Sequence, residues 1–124
     1  SMADSDFPEQ RQRLLKAFGD IVLGQSSIAR AVESISEIPT ALCLRSFSSW
    51  TTDLIKLEAD PMATIGHEPD RDVISAWVGS MQTDDWFSLY DQICRLHRID
   101  STSFKTQTVL EGLFADIRLK QVTV

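Results

Sequence analysis

Leu14-Leu15-Lys16-Ala17-Phe18-Gly19-Asp20-Ile21-Val22-Leu23-Gly24-Gln25-Ser26-Ser27-Ile28-Ala29-Arg30-Ala31-Val32-Glu33-Ser34-Ile35 decides the fold class of this chain. Within it Leu14, Phe18, Ile21, Gln25, Ile28, Val32 and Ile35 recur at alternating steps of 4 and 3. All but Gln25 are apolar, and that alternation marks one face of an α-helix. With Phe18 as position a of a heptad, Leu14, Ile21, Ile28 and Ile35 fall at d. One flank then carries Leu15, Val22 and Ala29, and the other Ala17, Gly24 and Ala31. A two-stranded coiled coil places charges on those flanks. Apolar and small residues there suit a helix wrapped by neighbours on both sides. Gln25 occupies an a position, where a buried amide needs a hydrogen-bond partner and serves to fix register or pairing. Its expected partner is a symmetry mate or a polar residue of the next helix.

Working outward, Asp6 and Glu9 form a capping pair around Pro8, and Ile38-Pro39 stops the pattern. A straight helix over 8–37 would be about 45 Å long, whereas a compact domain of this size has a radius of gyration of about 14 Å. Gly24-Gln25-Ser26-Ser27 is the expected kink. Because the ladder keeps its phase across it, the sequence predicts a bend and not a break. A second helix is expected over 40–59, on the ladder Cys43, Phe47, Trp50, Leu54 and Leu57, and it ends at Asp60-Pro61. Residues 60–69 read as a loop, with two prolines and a glycine. A third helix, 70–81, is expected to bury Val73, Ile74, Trp77, Val78 and Met81. A fourth starts at Thr83-Asp84-Asp85 and carries the stripe Trp86, Tyr90, Ile93 and His97, widened by Phe87, Leu89 and Leu96. Asp100-Ser101-Thr102-Ser103 reads as a turn, and a fifth helix covers about 104–121 on Phe104, Leu110, Leu113, Phe114 and Ile117. The expectation is therefore an all-α, single-domain bundle of about five helices over 6–124, with a long, kinked first helix. Residues 1–5 read as a disordered tail led by a cleavage scar, Ser1-Met2.

The 124 residues include 43% hydrophobic and 24% charged types, the proportions of an ordinary globular domain. The net charge of −6 is unevenly placed. Residues 1–52 carry −1 (six acids, five bases), 53–91 carry −7 (nine acids, two bases) and 92–124 carry +2 (three acids, five bases). An acidic middle third disfavours binding to a phosphate backbone and suits a basic partner. No run is long enough to span a bilayer, and the expected location is cytoplasmic. Cys43 and Cys94 lie far apart in apolar helical patterns and read as buried free thiols, not a disulfide framework.

No stretch assembles a catalytic or cofactor motif. His67-Glu68-Pro69-Asp70-Arg71-Asp72 holds metal-ligand residue types, but its spacing matches neither a His-x-x-x-His pair nor a calcium loop. It reads as an acid-rich helix start. His97 lies between Arg95 and Arg98 near a helix end, where positive charge suits the dipole. Cys94 and His97 are helical neighbours, but a Cys-His pair within one helix falls short of a preorganised triad. Ser80 follows Gly79 without the nucleophile elbow that would activate it.

Elimination favours a non-catalytic protein-protein interaction module, a regulatory adaptor or inhibitor, with no metal and no cofactor. Its partner is expected to be another protein with a basic surface, or a second copy in a homodimer, and neither nucleic acid nor membrane. The candidate partner-binding residues are Gln25, Phe18, Ile28, Trp86, Asp84 and Asp85. The competing expectation is a ligand sensor or enzyme with a pocket among Trp50, Trp77, Trp86 and His97, since tryptophans at helical spacing can line a cavity as well as fill a core.

Overall fold

A computed structural model describes residues 2–99 and 105–121, and the side chains from Phe7 onward. Among these residues the chain is all helical. Its elements are α1 (Met2–Val22), α2 (Ile28–Ser34), α3 (Thr40–Ala59), a 3₁₀ turn (Glu68–Asp70), α4 (Arg71–Ser75), α5 (Thr83–Arg98) and α6 (Thr106–Lys120). The expected turn at 100–103 and Phe104 lie outside the described residues.

The first helix is broken, not bent, and the reason is local. The Gly24 N–H donates to Ile21 O (3.2 Å) and the Gln25 N–H to Asp20 O (2.7 Å). Gly24 sits at φ +70°. These are the two bonds and the left-handed residue of a Schellman stop. Ser27 then starts α2, its Oγ accepting from the Arg30 N–H at 3.1 Å. A stop signal followed directly by a start signal overrides the phase of the apolar ladder. Gln25 therefore lies exposed in the elbow and occupies no buried seam. The helical backbone of α1 also begins earlier than expected, at Met2, within the stretch read as a tail. Asp4 and Asp6 place negative charge in its first turns, which favours a helix there.

The four long helices form a ring: α1 touches α3, α3 packs most extensively on α5, α5 touches α6, and α6 returns to α1. Short α2 braces α1 and α6, and α4 braces α3. The ladder of α3 is buried at every expected position, from Cys43 to Leu57. At the centre Phe18 stacks on Phe47 with centroids 4.7 Å apart, and Trp77 meets Phe18 edge-on at 5.4 Å. Trp50 and Phe114 complete the aromatic cluster. Such pairs contribute about 0.5–1.5 kcal/mol each beyond area burial.

Helix α4 is much shorter than the expected 70–81. After Ser75 the chain tightens into i→i+3 turns, Trp77 N–H to Ile74 O and Val78 N–H to Ser75 O, and Gly79 turns away at φ +89°. Ile74, Trp77 and Met81 are buried as expected, but Val73 and Val78 are about 40% exposed. The preceding loop is tied by polar contacts. Asp53, buried on α3, accepts from the Gly66 N–H at 2.8 Å. Arg71 donates to Glu68 and to the carbonyls of Pro61 and Ala63. Asp70 is buried in an ion pair with Arg11, whose guanidinium lies over Trp50. The acid-rich helix start is thus largely committed to holding this loop in place.

Candidate functional site

Helix α5 turns one side to the core and leaves the other open. Its buried stripe is Trp86, Leu89 and Ile93, with Leu96 partly buried. Trp86 and Ile93 of the expected stripe are thus buried, with Leu89 and Leu96 of its expected flank, whereas Tyr90 is only partly buried, Phe87 is about half exposed and His97 lies outside. The open face therefore reads Asp84, Phe87, Ser88, Asp91, Arg95 and Arg98, all exposed. Residues three and four apart are neighbours on a helix surface. Phe87 thus stands between Asp84, one turn before it, and Asp91, one turn after. The two halves of the face differ in sign: acidic toward the N-terminus, basic toward the C-terminus, each matching the macrodipole at its own end.

The candidate residues named from the sequence separate into two groups. Phe18 and Trp86 are fully buried and have no surface to offer a partner. Gln25 and Asp84 are exposed, while Ile28 and Asp85 are partly so. Asp84 and Asp85 sit together in the first turn of α5, whereas Gln25 and Ile28 lie at the α1–α2 elbow. Trp50, Trp77, Trp86 and His97 do not gather round one cavity. Trp77 and Trp86 are sealed in the core. Trp50 lines a groove of about 190 Å³ with Arg11, Arg45 and His67. His97 lines a different cleft, about 310 Å³, with Arg45, Ser48, Ile93, Cys94 and Arg98. Because early α3 and late α5 share that cleft, the two helices run antiparallel.

The cysteines also differ. Cys43 is buried, and its Sγ points to Ile38 O at 3.7 Å. Burial pushes its thiol up to about 12. Cys94 is only partly buried, beside His97 and Arg98. Among the described residues no group of three or more His, Cys, Asp or Glu side chains is placed to hold a metal ion. No described helix is long and apolar enough to cross a membrane.

Sequence reading missed Phe87 because its hydrophobicity was assigned inward. The signal that finds it is the 3-4-3 spacing of Trp86, Leu89, Ile93 and Leu96, which completes a stripe without it. Comparison with protein families, with curated proteins and with solved structures found no match to this chain.

Proposed function

We propose that this chain is a non-catalytic interaction module whose α5 outer face receives a partner protein with a basic, partly apolar surface. The observation that carries the reading is Phe87, 51% exposed between Asp84 and Asp91 on a helix whose opposite side is well packed. An aromatic anchor ringed by charge of one sign is the pattern of an interface hot spot: the ring supplies affinity and the carboxylates select and steer a cationic partner. The acidic middle third supports the same reading once its folding acids are set aside. Asp53 and Asp70 are buried and Glu68 is held by Arg71, but Asp60, Asp72, Asp84 and Asp91 remain at the surface.

The test is affinity capture from the native host with the wild-type chain, Phe87→Ser and Asp84→Lys/Asp91→Lys, each first shown to be folded by circular dichroism. A stoichiometric partner retained by the wild type should be weakened about tenfold or more by Phe87→Ser and lost at physiological salt by the charge reversal. Equal capture by all three would sink this reading.

A second copy of the chain is the other occupant that the charge pattern favours. Antiparallel pairing of two α5 faces would set Asp84 of each copy against Arg98 of the other, and Phe87 against Arg95. Such a contact obeys two-fold symmetry, and it sets Asp91 against its own copy at the axis, a like-charge cost that the two Asp84–Arg98 pairs must offset. Light scattering over a dilution series separates the cases. A dimer abolished by Arg98→Glu and restored by adding Asp84→Arg marks self-pairing, and a monomer at all concentrations leaves the face to a different protein.

A further inference from the structure

The elbow between α1 and α2 holds a cleft of about 400 Å³. Arg13, Lys16, Ala17 and Asp20 line it from α1, and Arg30 and Ala31 from α2, with Gln25 and Ser26 at the turn. Three cations and one acid give this lining +2, in a chain whose net charge is −6. The single carboxylate is occupied, since Lys16 Nζ bonds Asp20 Oδ2 at 3.1 Å. Arg13 and Arg30 are left as the uncompensated charges of the lining. Arg13 Nε is shut off from solvent and has no hydrogen-bond partner among the described residues. A shielded guanidinium donor without an acceptor is costly, so the Arg13 side chain gains by turning that donor toward an acceptor that enters the cleft.

The cleft is also held open and in shape. Its floor is made of alanines, Ala17 and Ala31, each 3% exposed, so no long side chain fills it. The Schellman stop and the Ser27 cap fix the turn locally. From α6, Arg118 Nη2 donates to Ser26 O at 2.5 Å, and the Gln121 amide donates to Ile21 O and to Val22 O. The backbone positions of Arg13 on α1 and Arg30 on α2 are thereby fixed before any ligand arrives, which limits the ordering cost of binding to that of the two side chains.

We propose that this cleft binds a small phosphate monoester, its phosphate held between the guanidinium groups of Arg13 and Arg30. Each guanidinium offers five N–H donors in a rigid fork. A phosphate dianion brings twice the charge of a carboxylate and three equivalent oxygens, against two, to meet the two forks. Lys16 adds positive charge, and the exposed Gln25 amide lies at the rim within the lining. The volume leaves room for the organic part of the molecule, being in the range of small-ligand sites.

The experiment titrates the ¹⁵N-labelled chain with glycerol 3-phosphate, inorganic phosphate and acetate at constant ionic strength, following the Arg13 Nε–H and the backbone amides of 25–31 by NMR. Saturable shifts confined to these signals are expected with glycerol 3-phosphate, with a Kd of about 1 mM or tighter, and none that saturate with acetate. Arg13→Gln/Arg30→Gln should weaken binding about tenfold or more, while Arg95→Gln/Arg98→Gln, on the far basic patch, should leave it unchanged. Arg30 is exposed, so Arg30→Gln alone serves should the double variant fail to fold, and it should still weaken binding. Saturation by inorganic phosphate as tight as by the ester makes the site one for the free ion and overturns the ester assignment. Shifts that stay linear, an acetate response of equal affinity, or loss of binding in the Arg95/Arg98 variant would overturn the site itself.

Discussion

Gly19 and Gly112 both lie inside long helices, yet the same substitution should act on them in opposite directions. A Cβ on Gly19 would meet the Trp77 ring at 3.0–3.3 Å, in the middle of the aromatic cluster. Gly19→Ala gains about 1 kcal/mol of helix propensity but forces an overpacking that costs about 1–3 kcal/mol, so net destabilisation is expected. A Cβ on Gly112 meets nothing within 4 Å, so Gly112→Ala should stabilise by about 1 kcal/mol. Urea unfolding of the two variants checks both signs. The cysteines make a similar contrast. An aryl disulfide reagent should modify Cys94 in the native state and Cys43 only on unfolding, because the Cys43 thiol is sealed and held up to about 12. A raised thiol value also sets a direction with pH. The unfolded chain begins to lose this proton near 9.0 and the folded chain only near 12, so Cys43 weakens the fold progressively as pH climbs through that window.

At the scale of elements, the Arg71–Glu68 ion pair is one of the ties on the loop between α3 and α4. Arg71 holds Glu68 by two hydrogen bonds of 2.8 Å, and the Ile65 N–H adds a third at 3.3 Å. The bond from Arg71, then that from Ile65, lowers the Glu68 carboxyl to about 2. A depressed carboxylate contributes stability that is complete above its unfolded value of 4.5 and is lost as pH falls toward 2. Protection of the 62–66 amides, taken relative to the unstructured exchange rate at each pH, should therefore fall across that window in the wild type, and Glu68→Gln should remove the dependence while lowering protection at neutral pH. Helix α3 was fully legible from its sequence because each apolar residue of its ladder also faces the core. Helix α5 was legible as a helix but not in the edges of its buried face: Phe87 and His97 are hydrophobic or half-apolar residues beside a true stripe, and composition alone does not choose between adjacent faces. The α1–α2 region was read from its strongest periodicity, while five residues of capping chemistry, Leu23 to Ser27, decided the outcome.

For the molecule as a whole, the consequence is that Gln25 does not set pairing through a buried seam. Gln25→Leu should leave unfolding free energy within about 0.5 kcal/mol of wild type, as at other exposed sites, and leave the scattering mass unchanged. The candidate face on α5 was half legible: Asp84 and Asp85 could be read from the sequence as an acidic helix start, but the apolar anchor beside them could not. The elbow has a separate consequence, one of timing. Its backbone carbonyls at Ile21, Val22 and Ser26 are satisfied by side chains 92 to 100 positions later in the chain. A ribosome making this protein releases α1 and α2 long before Arg118 and Gln121 exist. Until then the elbow lacks its brace, and contacts of such long sequence separation form late and slowly. The first two helices must therefore wait, partly unsupported, until α6 has emerged.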